Sequence, residues 1–153
     1  MKRLTLLLSA IFMMGLVSAQ SNNEEIDLIQ SIFGMEKKAM VADFVQVDES
    51  ASNAFWKLYD EYETARKDLG KKRIELLEKY ADTFETMTSE QADTWLKEVM
   101  KQAASTDNLI DLYTKKIKKI SDPVTALQFY HIENFILASI RLNILGEVPF
   151  IEK

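Results

Sequence analysis

The polar residues best suited to chemistry lie in one otherwise apolar segment, "DPVTALQFYHIENFILASI", residues 122–140. It holds the only histidine of the chain, His131, with Gln128, Glu133 and Asn134 nearby in sequence. A histidine beside a carboxylate is a candidate general base. At about 100° per helical residue, however, Gln128, His131 and Asn134 spread over about 120° and Glu133 lies on another side. We therefore predict that His131 is buried and hydrogen-bonded rather than catalytic.

The other residue types give no catalytic or metal-binding pattern. A di-metal site in a helical bundle uses Glu-x-x-His pairs, but Gln128 stands three positions before His131. The neighbouring acids Asp60, Glu61 and Glu63 do not converge, because consecutive helical positions point in different directions. Thiolate, phosphate-loop and serine-hydrolase signatures are also missing: the chain has no cysteine, four ungrouped glycines and no G-x-S-x-G turn. We predict a non-enzyme that has neither cofactor nor metal.

Residues 1–19 have the three parts of a secretory signal peptide. A basic start, Lys2-Arg3, precedes an apolar stretch, residues 4–17, and a small-residue cleavage site that ends at Ala19. The apolar run of about 14 residues is shorter than the roughly 20 needed to cross a bilayer. We expect cleavage after Ala19, a periplasmic or secreted protein, and no stable membrane insertion after the leader is removed.

The remaining residues, 20–153, are predicted to form a single acidic helical domain. Loss of the leader removes two basic residues and no acidic ones, which leaves 17 Lys and Arg against 24 Asp and Glu. Nucleic acid is therefore excluded as a partner, because affinity for phosphates needs concentrated positive charge. The absence of cysteine excludes a lipoprotein and disulfides.

Apolar residues recur at helical spacing in four segments, and no alternating run indicates a strand. The expected helices cover about residues 23–44, 49–85, 87–120 and 122–145. The second would span roughly 55 Å if unbroken, with Gly70 as its weak point because glycine costs about 1 kcal/mol relative to alanine. The fourth is apolar on almost every side, which is typical of a helix inside a bundle or covered by a second subunit. We predict an all-α fold of four helices, two of them long, in an elongated bundle or helical hairpin.

An aromatic stripe on the second helix is the candidate protein-binding surface. It consists of Phe55, Trp56, Tyr59 and Tyr62. Aromatic residues left exposed on a long helix can bind a client or partner. Core packing is the alternative for the same residues, and the sequence leaves both open.

The segment Met87-Thr88-Ser89-Glu90-Gln91 stands between the two long helices and matches an L-T-x-x-Q pattern with Met in place of Leu. It resembles the periplasmic LTxxQ proteins, typified by the chaperone Spy and the stress-response regulator CpxP. The resemblance implies an all-helical, cradle-like dimer that holds unfolded clients, with Met87, Thr88 and Gln91 as the family-like motif. The same residues also fit a capping box, in which Thr88 and Gln91 satisfy each other's free backbone N–H at a helix start.

Two functional hypotheses follow. The first is an exported, non-enzymatic chaperone-like or stress-related binding protein of the Spy/CpxP type, acting on an unfolded client. The second is a structural or regulatory protein whose apolar fourth helix mediates self-association or binds a fixed protein partner. Exposure of the aromatic stripe would favour the first, and exposure of the fourth helix's isoleucines in a flat patch the second. Under either hypothesis we expect a homo-oligomer.

Overall fold

The computed structural model describes residues 23–149, and these form a bundle of four α-helices. The helices are α1 (Asn23–Phe44), α2 (Glu49–Thr83), α3 (Ser89–Ile120) and α4 (Pro123–Glu147), with a short 3-10 turn, Phe84–Thr86, after α2. No strand occurs within residues 23–149, so the all-α prediction is confirmed. Within the same range, none of the helices has the length and apolar character needed to cross a membrane. The predicted signal peptide lies outside the described residues.

Helix α2 continues through Gly70 without a break, although the sequence marked this residue as a weak point. Its 35 residues span about 52 Å. A Cβ at Gly70 would come within 2.5 Å of Nε2 of Gln30, a residue of α1. The glycine therefore gives room for the side chain of Gln30 against α2.

Two helix starts follow the predicted capping chemistry. Gln91 N donates to Thr88 Oγ1 over 3.2 Å, and Thr88 N donates to Gln91 Oε1 over 2.8 Å, which completes the capping box at α3. At α4, one carboxylate oxygen of Asp122 accepts from Val124 N and Thr125 N, and Pro123 occupies the first turn. The starts of α3 and α4 are therefore fixed by local hydrogen bonds, as expected for capping residues of these types.

The core lies where α2, α3 and α4 meet, and α1 closes it. The long helices α2 and α3 pack along each other, α4 packs against α3, and α1 touches both α2 and α4. Aromatic rings fill the centre: Tyr62 lies 5.3 Å from Phe129 of α4 and 5.5 Å from Tyr113 of α3, centroid to centroid, both edge to face. Such contacts add about 0.5–1.5 kcal/mol each to the burial of the rings.

Candidate functional site

Four charged side chains form an ion cluster inside the bundle: Lys37 of α1, Glu63 and Arg66 of α2, and Glu133 of α4. Lys37 Nζ lies 2.5 Å from Glu63 Oε1 and 2.7 Å from Glu133 Oε1. Only 1% of the Lys37 side chain and 2% of that of Glu133 are exposed. Arg66 Nε donates to both oxygens of Glu63, over 2.9 and 3.0 Å. The ion cluster therefore joins three helices through charges that are almost fully buried at Lys37 and Glu133 and largely buried at Glu63 and Arg66.

Two tyrosines complete the surroundings of the ion cluster. Lys37 Nζ donates to Tyr59 Oη over 3.3 Å, and Tyr62 Oη donates to Glu133 Oε2 over 2.6 Å. The same ammonium lies 5.2 Å from the ring centroid of Tyr59 and 4.8 Å from that of Tyr62, within range for cation–π attraction. These contacts replace the hydration that Lys37 loses on burial. Burial also raises the pKa of both tyrosine hydroxyls, and the nearby glutamates raise it further.

The two glutamates of the ion cluster differ in their pKa shifts. Burial alone would raise the pKa of Glu63, but Lys37 and Arg66 outweigh it and hold that pKa below its usual value. Burial raises the pKa of Glu133 above its usual value, because the deeper carboxyl has only Lys37 as a close cation. Glu133 is therefore the carboxylate that takes up a proton first on acidification.

The ion cluster contains the residue types of an acid–base site, but a substrate could not reach its most buried groups. A catalytic group must come within about 3 Å of its substrate, and Lys37 and Glu133 are almost fully buried. With two cations and two carboxylates, the fully ionised cluster has no net charge, which is how buried charges are tolerated. Within residues 23–149 no group of three or more His, Cys, Asp or Glu is placed to hold a metal ion. The arrangement fits a structural role.

Gln128, His131, Glu133 and Asn134 do not form one site in the structure. Gln128 Oε1 accepts from the backbone N of Gln46, and Asn134 Nδ2 donates to a carbonyl of its own helix. His131 is exposed, so the prediction of a buried histidine was wrong. His131 lies on the outer face of α4, whereas Glu133, two residues later, lies on the inner face.

The aromatic stripe proposed as a binding surface lies largely in the core. Phe55, Tyr59 and Tyr62 are at most 2% exposed, and Trp56 is half-buried. The rings contact one another, with the Phe55 and Trp56 centroids 5.0 Å apart. In this fold, three of the four side chains are out of reach of any client. Of the family-like motif, Met87 is half-buried, while Thr88 and Gln91 are exposed and form the helix cap.

The outer face of α4 carries a row of side chains that we name the α4 stripe. Its members are Val124, Leu127, His131, Phe135, Ala138, Leu142 and Leu145. At about 100° per residue, all seven lie within about 80° of one another around the helix axis. The exposed fraction is 65% for Val124, 73% for Leu142 and 66% for Leu145.

The sequence contains a partial indication of both the ion cluster and the α4 stripe, although neither was predicted. Lys37 recurs with apolar residues such as Phe33 at helical spacing, so its place on the buried face of α1 was readable. The all-round apolar character of α4 was noted, but which face stays uncovered required the structure.

No protein-family model, no curated protein and no solved structure matches this chain.

Proposed function

We propose that this chain is an exported, non-enzymatic helical protein that works by protein–protein contact through the α4 stripe. The observation that carries the proposal is the exposure of six apolar side chains and one histidine in a single row about 31 Å long. Scattered apolar residues are normal on a protein surface, but a contiguous apolar patch marks an interaction site.

The ion cluster supports this assignment because it fixes the rotation of α4. Glu133 is held from the inner side by Lys37 and by the hydroxyl of Tyr62. A rotation of α4 that buried Leu142 would pull Glu133 away from both partners and leave an uncompensated charge. Breaking a buried ion pair in this way costs about 3–5 kcal/mol. The contacts of Glu133 on the inner face therefore keep the α4 stripe on the outer face.

Covering the α4 stripe would release enough free energy to drive association. Full burial of a Leu or Phe side chain contributes about 1.5–3 kcal/mol, and Leu127, Phe135, Leu142 and Leu145 are each about half exposed or more. Part of that gain is offset by the lost freedom of two molecules. The stripe contains no Asp, Glu, Lys or Arg, so the contact would be mainly apolar.

A second candidate is the Spy/CpxP-type role of holding unfolded clients. Its support is a further pair of exposed apolar residues on α3, Leu96 and Met100, which are 51% and 63% exposed. Methionine adapts to irregular partners. Clients would then contact α3 and the α4 stripe rather than the aromatic residues in the core.

Site-specific photocrosslinking in producing cells tests the main proposal. A benzophenone amino acid at Leu127 or Leu142 should give protein adducts of defined mass, because these positions lie within the contact. The matched control is the same group at Glu61, an exposed residue of α2, where we expect no such adduct. Absence of adducts from both stripe positions would contradict the proposal.

The chaperone candidate needs a separate measurement. The purified protein should slow the aggregation of an unfolded client, followed by light scattering without ATP. Leu96→Ser with Met100→Ser should weaken that protection if clients are held on α3. No protection of several different clients by the folded protein would remove this candidate and leave the main proposal standing.

A further inference from the structure

The α4 stripe reads almost the same from either end. Six of its seven members are placed symmetrically about the midpoint between Asn134 and Phe135, and the seventh, Phe135, has as its counterpart Asn134, which is not in the stripe. The symmetric pairs are Val124 with Leu145, Leu127 with Leu142, and His131 with Ala138. A surface with this symmetry can pack against a copy of itself when the two helices run in opposite directions. This is the requirement for a two-fold interface, in which residue i meets residue j and j meets i.

The sizes of the paired side chains also fit the antiparallel arrangement. Val124 and Leu127 would meet leucines of the second copy, and the bulky His131 would meet the small Ala138. Large residues opposite small ones let two packed layers interdigitate. A parallel pair in register would instead place His131 against His131 and Ala138 against Ala138, with crowding at one level and a gap at the other.

Charge presents no obstacle to this pairing. From Val124 to Leu145, α4 has two residues of fixed charge, Glu133 and Arg141. Glu133 is buried in the ion cluster, and Arg141 Nη2 donates to Asp107 of α3 over 2.8 Å. Two copies can therefore approach without placing unpaired like charges opposite each other. An uncharged apolar row offers nothing that would select a strongly charged partner.

We infer that the occupant of the α4 stripe is a second copy of this chain, with the two α4 helices antiparallel and the two-fold axis beside Asn134 and Phe135. The inference rests on the proposed function, that the α4 stripe is a contact surface, and adds the identity and orientation of the partner. The two copies of the stripe bury each other, and each His131 lies against Ala138 of the other copy.

Sedimentation equilibrium of the purified protein tests the partner. The wild-type chain should be a dimer, and Leu127→Glu with Leu142→Glu should weaken its Kd by about 100-fold or more, because glutamates would be buried without a partner. The matched control is Leu96→Glu with Met100→Glu, which changes exposed apolar residues of α3 and should leave the Kd unchanged. Circular dichroism should show the same helix content in all three proteins. A wild-type monomer throughout the concentration series would overturn the inference.

Cysteine crosslinking tests the orientation, because the natural chain contains no cysteine. Asn134→Cys lies beside the two-fold axis and should be joined to its copy by a short bismaleimide. Val124→Cys alone should not be, since antiparallel copies hold these positions about 31 Å apart. A mixture of Val124→Cys and Leu145→Cys chains should crosslink efficiently. Crosslinking of Val124→Cys to itself would instead show a parallel pair and overturn the antiparallel assignment.

Photocrosslinking separates failure of this inference from failure of the proposed function. Adducts from Leu127 that have the mass of two copies support both. Adducts of another mass, from a chain that is monomeric alone, would overturn the second copy as occupant while the contact surface stands. A monomer that gives no adduct would overturn both.

Discussion

The two faces of α4 reverse the usual distribution of polar and apolar residues. On the inner face Glu133 is 2% exposed, while on the outer face Leu142 is 73% exposed. Hydropathy alone would place these two residues the other way round. The difference is that Glu133 has partners inside the bundle, in Lys37 and Tyr62, whereas nothing within residues 23–149 covers Leu142. Burial follows the available partners as well as the residue type.

The reversal also links stability to function. The inner face holds α4 at one rotation through a few strong polar contacts, and the outer face is left free for association. If this division is correct, substitutions on the inner face should change the free energy of unfolding and those on the outer face should change association.

Replacing Lys37 should have the largest effect on folding. In Lys37→Met, Glu133 loses its close cation and two buried carboxylates face each other, so we expect unfolding to become easier by about 3–5 kcal/mol. Urea denaturation followed by circular dichroism measures this. The matched control is Lys38→Met, which removes a surface ion pair with Asp60 and should cost no more than about 1 kcal/mol.

A double variant shows whether charge or shape causes the loss. Lys37→Met with Glu133→Leu removes one charge of each sign and leaves Glu63 paired with Arg66. Stability should recover in large part, because apolar groups of similar volume can replace a buried ion pair. Equal effects of Lys37→Met and Lys38→Met would show that the ion cluster does not hold the bundle.

Two phenylalanines on opposite faces of α4 give a matched test of the comparison. Phe129 is 0% exposed and Phe135 is 49% exposed. Phe129→Ala should cost about 3–5 kcal/mol because it opens a cavity in the aromatic core. Phe135→Ala should change the stability of the single chain by no more than about 0.5 kcal/mol, measured at concentrations where the dimer is dissociated. A comparable loss from both would show that the outer face is covered within the chain.

The dependence of stability on pH should distinguish the two glutamates of the ion cluster. The folded pKa of Glu63 is lowered, so its contribution is present above about pH 4.5 and is lost as the pH falls through the folded pKa. The folded pKa of Glu133 is raised, so stability falls as the pH rises from about 4.5 through that higher value. Glu63→Gln should remove the loss of stability that occurs as the pH falls. Glu133→Gln should remove the loss of stability that occurs as the pH rises. Urea midpoints from pH 3 to 8 measure both, and identical profiles for the two variants would contradict the assignment.

Most of the fold was readable from the sequence, because its signals are local. The apolar spacing, the Thr88–Gln91 capping box and the Asp122-Pro123 start each depend on a few neighbouring residues. The sequence left open whether α2 continues through Gly70, because the role of this glycine depends on Gln30 of another helix. The ion cluster was missed for the same reason: Lys37 and Glu133 are 96 positions apart in the printed sequence.

The site depends on long-range packing and was predicted less well than the fold. Helical spacing identified the aromatic residues of α2 as a stripe but did not decide between an exposed binding surface and the core. The structure places three of the four rings in the core. The same ambiguity affected α4, whose apolar residues surround the axis. Only the positions of α1, α2 and α3 determine which side stays uncovered.

His131 should give the smallest effect on folding and the clearest correction of the sequence-based prediction. A buried, hydrogen-bonded histidine would lose about 1–3 kcal/mol on replacement. His131 is exposed, so His131→Ala and His131→Leu should each change the stability of the dissociated chain by no more than about 0.5 kcal/mol. Their effects on association should differ. In the antiparallel dimer position 131 lies against Ala138 of the second copy, where leucine adds apolar contact and alanine leaves a gap, so His131→Leu should bind more tightly than His131→Ala. Sedimentation equilibrium at one salt concentration gives both constants, and the opposite order would place position 131 outside the contact.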